Sequence, residues 1–195
     1  APGQAVSQTI IGGWLADLFD AVLTVDPHLH RIERLQQAIP LPGALALSAA
    51  PLIGAYLRER LPSDALLLGP DAESRQWVAA VAEVSGHRFA VAGKDRRGDR
   101  EVRIELPVEN YRDRTVALID DVISSGHTIA AAARLALAAS AHEVVAACTH
   151  ALLAAGAEEL LREAGVSRRD STTSIPHASN VIDLTPLLTG GCQEV

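Results

Sequence analysis

Aspartates directly follow three of the apolar segments that the sequence predicts as buried strands. They are Asp26 after AVLTV, Asp71 after ALLLGP, and the pair Asp120 and Asp121 after TVALI. In open α/β sheets, ligands bind beyond the carboxyl ends of the strands. We therefore expect these carboxylates to form an acidic rim at one edge of a sheet. An oxygen-rich rim beside phosphate groups suits Mg²⁺, which prefers oxygen ligands.

Each of these aspartates also has a purely structural explanation, because Asp is a favoured residue at a helix N-cap. This explanation is strongest for Asp26, since Pro27 would then occupy the first helical position. Both explanations stay open for each residue considered alone. That all three positions serve only as caps is the less favoured interpretation.

The segment 120–128 has the features of an anion-binding turn. Its two carboxylates are followed by a loop of hydroxyl-bearing residues and glycine, and then by an alanine-rich helical pattern. Loop amides and the positive end of the helix dipole would face an anion, and Gly126 lets the backbone approach it closely. Asp120 and Asp121 could bind ribose hydroxyls or a metal. The alternative is an ordinary turn capped by Ser or Thr, which gives the second carboxylate no role.

Short apolar segments alternate with helical patterns along the chain, which indicates where these residues are placed. The predicted strands are 21–25, 65–69, 88–93, 115–119 and 143–148, and the predicted helices are 5–20, 49–61, 72–86, 128–140 and 155–164. This alternation is typical of an α/β fold, a three-layer parallel sheet with helices on both faces. Residues 35–48, with two prolines and a glycine, are the best candidate for a boundary or crossover.

The composition excludes several classes of protein. Of 195 residues, 17 are basic and 24 acidic, giving a net charge of −7, and 48% are hydrophobic. A disordered chain is excluded, and the acidic balance argues against a nucleic-acid partner. Cys148 and Cys192 are too few for a disulfide framework, and no segment resembles a membrane span or a secretory signal. We expect a soluble, cytoplasmic protein whose methionine-free sequence starts at a processed or cut end.

Five short motifs occur in an order that is typical of one enzyme family. They are VDPHLHRI at 25–32, GPDA at 69–72, KDR at 94–96, the thirteen residues 116–128, and TTSIP at 172–176. The fourth motif resembles the phosphoribosyl pyrophosphate loop of the type I phosphoribosyltransferase superfamily. Together the motifs resemble ribose-phosphate pyrophosphokinase, also called phosphoribosyl pyrophosphate synthetase. The resemblance covers nearly the whole chain, from residue 5 to residue 188.

The resemblance implies a reaction in which the β,γ-pyrophosphoryl group of ATP moves to the 1-hydroxyl of ribose 5-phosphate with the help of Mg²⁺. The residues it implies for binding ribose 5-phosphate are Asp120, Asp121, Ser124, Ser125, Gly126, His127 and Thr128. Those it implies for binding the metal are His28, Asp71 and Asp26. Lys94 and Arg96, at the start of a predicted hairpin over 94–106, are implied as catalytic residues. Members of this family are homo-oligomers, so the resemblance implies that this chain also self-associates.

The sequence also departs from the family pattern. Ser124 replaces a third Asp of the loop, and Glu73 and Ser74 replace two glycines of the turn after Asp71. The segment that would carry most of the ATP site is not in the sequence. We accordingly predict the remnant of an N-terminal phosphoribosyltransferase-like domain over 1–42, a ribose-phosphate-binding domain over 43–188, and a frayed tail over 189–195.

Other functions remain open at this stage. A phosphoribosyltransferase that consumes phosphoribosyl pyrophosphate is favoured by the paired hydroxyls of Ser124 and Ser125. A non-catalytic, ribose-phosphate-binding regulatory homologue is favoured by the absent ATP half. The Asp-x-His-x-His pattern that ends at His30 would suit a transition-metal hydrolase, but no further histidine or carboxylate cluster supports that reading.

Overall fold

The structure is a computed structural model that describes residues 7–29, 34–97 and 101–195, with the backbone course alone for 94–97 and 101–103. Its helices are α1 (Ser7–Leu18), α2 (Leu35–Ala38), α3 (Ala50–Arg60), α4 (Arg75–Ser85), α5 (His127–Ala138), α6 (Ala157–Glu163) and α7 (Thr185–Gly191), with a 3₁₀ turn at Ala72–Ser74. Its strands are β1 (Ala21–Val25), β2 (Gly43–Leu47), β3 (Leu66–Gly69), β4 (Arg88–Val91), β5 (Gly93–Arg97), β6 (Glu101–Glu105), β7 (Thr115–Ile123), β8 (Glu143–Ala151), β9 (Val166–Thr172) and β10 (Asn180–Ile182).

The chain divides into two compact units, Ala1–Ala49 with Leu184–Val195, and Ala50–Asp183. In the first unit, β1 and β2 pair in parallel, and α7 packs against β2. The predicted boundary after residue 42 differs from this division, because β2 pairs with β1 and so joins the first unit. Residues 189–191, predicted to fray, belong to α7.

The second unit contains a six-stranded sheet in the order β10-β9-β8-β7-β3-β4, and every neighbouring pair in it is parallel. Helices lie on both faces, so the predicted fold class is confirmed. All four residues of β3 are buried, as expected for a central strand covered on both sides. None of the helices in the described ranges is long and apolar enough to cross a membrane.

Three strands escape sequence prediction, each for a different reason. β2 reads GALAL, but the prolines beside it suggested a boundary or crossover over 35–48. β9 reads VSRRDST and carries three charged residues. Two of these compensate each other within the strand, since Arg168 Nε donates to Asp170 Oδ2 at 2.8 Å. β10 has only three residues.

Candidate functional site

The two adjacent carboxylates lie near the carboxyl end of β7. The strand runs to Ile123, so Asp120 and Asp121 are part of it and do not begin the loop. The Asp121 amide donates to Asp120 Oδ1 at 3.1 Å, and the Val122 amide donates to Asp121 Oδ1 at 2.8 Å. Asp121 is buried and Asp120 half-buried. Each carboxylate is thus oriented by the backbone amide that follows it.

The environment of Asp120 disfavours its ionised form. Burial, followed by the negative charges of Asp121 and Asp71, raises the pKa of the Asp120 carboxyl from 3.8 to about 8. The charges of Asp121 and Asp71 therefore act on Asp120 near the end of β7. A ligand that donates hydrogen bonds or brings positive charge would relieve this repulsion.

The loop after β7 leads directly into α5. Gly126 has a φ of +76° and is the N-cap of that helix, a left-handed conformation that glycine adopts without strain. Its carbonyl accepts the first helical hydrogen bond, from Ala130 at 2.8 Å. Ser124, Ser125 and His127 are exposed and Thr128 is half-buried. Because the N-cap has no side chain, none of its own atoms competes for the first amides of the helix.

A second segment, which the sequence analysis missed, forms backbone hydrogen bonds to the start of this loop. In the connection between β8 and α6, the Leu153 amide donates to the Ile123 carbonyl at 2.9 Å and the Ala154 amide donates to the Ser124 carbonyl at 3.0 Å. Leu153 has a positive φ of 36°, which is unusual for a residue with a side chain. Gly156 was the one turn signal in this alanine-rich stretch, and it gives no hint of such contacts.

The turn after β3 has a different construction. Asp71 Oδ1 accepts hydrogen bonds from the amides of Glu73 at 3.0 Å and Ser74 at 3.4 Å. The Ser74 hydroxyl in turn donates to the Asp71 carbonyl at 2.6 Å. The structural interpretation of Asp71 as a helix cap is therefore correct, and its predicted role as a metal ligand stays a prediction.

The other two predicted metal ligands lie in the first unit. Asp26 is buried, has a φ of 39°, and its Oδ2 accepts from the Ala49 amide at 3.0 Å. It does not cap a helix at Pro27, because residues 27–29 are not helical. His28 is exposed, and His30 lies outside the described residues. Over the described ranges, no group of three or more His, Cys, Asp or Glu side chains could hold a metal ion.

The predicted hairpin is present, and it places the backbone of both candidate catalytic residues. Lys94 and Arg96 lie on β5, which pairs antiparallel with β6. Lys94 is opposite Ile104 and Arg96 is opposite Val102. Their side chains lie outside the described part of the structure, so their catalytic role stays a prediction.

Comparison with known proteins identifies the family to which this architecture belongs. A family profile for the phosphoribosyl transferase domain matches residues 52–186, which include β3, β7 and the loop into α5. The chain belongs to this family. The match spans the whole sheet of the second unit and both of its candidate turns, so the resemblance drawn from the motifs is confirmed.

Curated relatives place the chain near one branch of the family. It is 35% identical over 134 residues to the ribose-phosphate pyrophosphokinase of Methanopyrus kandleri. The aligned residues cover 68% of this chain and 45% of that protein. It is 28% identical over 187 residues to the enzyme of the same name from Methanosarcina acetivorans, covering 96% of this chain and 64% of that protein. The chain thus spans less than two thirds of these relatives.

A solved structure supports the fold over nearly the entire chain. The phosphoribosylpyrophosphate synthetase of Mycobacterium smegmatis superposes with a TM-score of 0.78 at 23% identity. The superposition covers 98% of this chain and 64% of that one. Both units of this phosphoribosyltransferase-family chain therefore have counterparts in one known structure.

Proposed function

We propose that this chain carries the ribose-phosphate-binding part of a ribose-phosphate pyrophosphokinase. The observation that supports this most is the turn after β7, where two oriented carboxylates are followed by a left-handed glycine that opens α5. In this proposal the loop 124–128 binds the 5-phosphate with its amides and hydroxyls, aided by the helix dipole. Asp120 and Asp121 bind the ribose hydroxyls, which are good hydrogen-bond donors to carboxylates.

The enzyme reaction follows from the names of the relatives and from this ligand placement. It would transfer the pyrophosphoryl group of ATP to the 1-hydroxyl of ribose 5-phosphate. Such transfers need positioning and charge neutralisation more than covalent chemistry. Lys94 and Arg96 would supply positive charge to the transferring group, from a two-stranded hairpin that can close over it.

Magnesium fits the carboxylates of the second unit, although they form no complete protein cage. Mg²⁺ is usually held by one or two carboxylates together with substrate phosphates and waters. Asp71 and Asp120 interact electrostatically, and their mutual repulsion is what a divalent cation would relieve. Mg²⁺ would neutralise the charge of the phosphate groups. The metal-binding role of Asp26 and His28, which lie in the first unit, stays a prediction, and the hydrogen bond from the Ala49 amide already gives Asp26 Oδ2 a structural role.

Two other functions stay in consideration, each because of a specific observation. Ser124 stands where the pyrophosphokinases have an Asp, as it would in a transferase that consumes phosphoribosyl pyrophosphate. The same altered loop residue also suits a regulatory homologue that binds ribose phosphate without turnover. Homo-oligomerisation is a further expectation, which light scattering of the purified protein would test.

One set of assays separates these functions. With ATP, ribose 5-phosphate and Mg²⁺, the full-length protein is expected to form AMP and phosphoribosyl pyrophosphate. No AMP, together with consumption of phosphoribosyl pyrophosphate in the presence of a free base, would establish the transferase instead. Calorimetric binding of ribose 5-phosphate without either turnover would establish the regulatory homologue. Absence of binding and of both reactions would refute the whole proposal.

A further inference from the structure

The phosphate loop is not held by its own strand and helix alone, since it has a third support. Beyond the last paired residues of β7 and β8, two more hydrogen bonds join the two segments. The Leu153 amide donates to the Ile123 carbonyl, and the Ala154 amide donates to the Ser124 carbonyl. Both loop carbonyls are therefore drawn to the same side, towards the connection between β8 and α6.

The direction of these carbonyls determines the direction of the next amides. A peptide group is planar and trans, so its C=O and N–H point in opposite directions. With the carbonyls of Ile123 and Ser124 turned towards the connection, the amides of Ser124 and Ser125 point away from it. Two donors are thus aligned on one side of the loop before any ligand binds, which is the condition for tight anion binding without a reorganisation cost.

Helix α6 fixes the next residue of the loop by close packing. A Cβ atom placed on Gly126 would lie 3.3 Å from Leu161 Cγ and 3.6 Å from the Ala157 carbonyl oxygen. Leu161 is completely buried, so it cannot move aside without loss of packing. The left-handed turn at Gly126 is therefore held against α6, just where the loop enters α5.

The conformation of the connection shows that its shape is specified locally. Leu153 adopts a positive φ of 36°, a costly conformation for a leucine. Residues 154–157 then form a turn closed by the Ala157 amide and the Ala154 carbonyl at 2.8 Å, with Gly156 at a φ of +84°. Because Ala155 is not among the residues with positive φ, this is a type II turn.

We propose that the segment 153–154, together with Leu161 behind Gly126, is the positioning element of the phosphate loop and sets its affinity for the 5-phosphate. This inference rests on the proposed function, because it takes the loop 124–128 as the phosphate site. It assigns a positioning role to two residues whose backbone amides hold the carbonyls of Ile123 and Ser124. It also explains why a leucine at position 153 is held in a strained conformation.

Two proline substitutions at adjacent exposed alanines test this proposal. Ala154→Pro removes the N–H that binds the Ser124 carbonyl and disfavours the left-handed conformation of Leu153. Ala155→Pro is the matched control, since position 155 is the second residue of a type II turn, where proline is favoured. Both alanines are exposed, so neither change removes core packing.

The probes are ribose 5-phosphate and inorganic phosphate, measured by calorimetry well below the melting temperature. We expect Ala154→Pro to weaken both affinities by about tenfold, as for loss of one oriented hydrogen bond to a charged group, and Ala155→Pro to change neither. Asp121→Asn is expected to weaken the affinity for ribose 5-phosphate and to leave that for inorganic phosphate unchanged. A folded Ala154→Pro variant with the affinities of the unchanged protein would overturn the inference alone. An unchanged protein that binds neither probe would overturn the proposed function and the inference together.

A second pair of variants applies if Ala154→Pro does not fold. Leu161→Ala opens space behind Gly126, and Leu57→Ala removes an equally buried leucine from α3. Both should lower the melting temperature by similar amounts. Only Leu161→Ala should weaken phosphate binding, by about fivefold. Equal phosphate affinities in the two variants would contradict the positioning role, because stability alone would then account for Leu161.

Discussion

The turn after β3 and the turn after β7 follow neighbouring parallel strands, so both lie at the same edge of the sheet. The two turns differ in whether a side chain accepts hydrogen bonds from the first amides of the helix that follows. After β3, the Asp71 side chain accepts the amides of Glu73 and Ser74. After β7, the N-cap is Gly126, which offers no side chain. The amides of the first turn are therefore occupied, and those of the second are left for an anion.

This difference shows that an aspartate after a strand has no single meaning. Asp71 stabilises its own turn, and Asp26 accepts an amide from a residue 23 positions away. Asp120 and Asp121 instead accept the amides that follow them within β7, and neither caps α5. What distinguishes the candidate binding turn is the combination of two carboxylates that do not cap the helix with a glycine at the helix start.

The largest expected effect is on the affinity for ribose 5-phosphate, which should depend on the turn after β7 and not on the turn after β3. The double variant Asp120→Ala/Asp121→Ala should lower the affinity for ribose 5-phosphate at least about 1,000-fold, since two hydrogen bonds to charged groups contribute about 4 kcal/mol. Asp71→Ala, in the absence of Mg²⁺, should leave this affinity nearly unchanged. Calorimetry of both variants, with exposed Asp64→Ala as control, measures the difference. Equal losses at Asp71 and at the pair would mean that the two turns bind the ligand jointly.

The second prediction concerns the pH dependence of stability without ligand. Because the pKa of Asp120 is raised from 3.8 to about 8, the folded state binds more protons than the unfolded state between these values. The free energy of unfolding should therefore fall as pH rises from about 4 to about 8. Asp120→Asn should remove this fall and stabilise the protein at pH 8 by roughly 2–4 kcal/mol.

Chemical denaturation at pH 5 and pH 8 checks this result. Asp71→Asn serves as the control, because its carboxylate is stabilised by two amide hydrogen bonds in the folded state. If Asp120→Asn is no more stable than the unchanged protein at pH 8, the carboxylate is not a repelled charge. The contrast between a capping aspartate and a repelled aspartate would then fail.

The third prediction isolates the role of Gly126 with a glycine of the same conformation. Gly126 and Gly86 have φ values of +76° and +77°, so an alanine at either position should cost about 1–2 kcal/mol of stability through backbone strain. Gly86 ends α4, and no atom from elsewhere in the described part of the chain lies within 4 Å of the Cβ it would gain. Gly126→Ala should in addition weaken phosphate binding about tenfold, which Gly86→Ala should not. Calorimetry with inorganic phosphate distinguishes the two.

Much of this site was predictable because it depends on local pattern. The apolar run before Asp120 and the Ser-Ser-Gly loop indicate a strand, a turn and a helix start without any tertiary information, and the family motifs coincide with them. The cap at Asp71 was one of two open interpretations, since a cap and a metal ligand use the same residue type at the same place. The amide distances establish the cap, and the metal role stays a prediction.

The support of the loop could not be predicted for a different reason. Leu153 and Ala154 act through backbone amides, which every residue except proline possesses, so no side-chain pattern indicates them. β9 was missed because its charges compensate each other across two residues of one strand, between Arg168 and Asp170. Prediction from pattern succeeds where side-chain types determine the structure, and fails where backbone contacts or paired charges do.

The smallest expected effect is on stability, and it tests the turn after β3 that Asp71 caps. Asp71→Ala removes the acceptor for two amides and should cost about 1 kcal/mol of stability. Asp71→Asn keeps an acceptor oxygen and should recover most of this loss, because Asn caps helices about as well as Asp. Thermal unfolding measures both changes. If Asp71 also holds Mg²⁺, the Asn variant should keep its stability but need more Mg²⁺ for activity. An Asn variant with unchanged Mg²⁺ dependence would leave the cap as the sole role of this residue, and the contrast between the two turns would then be complete.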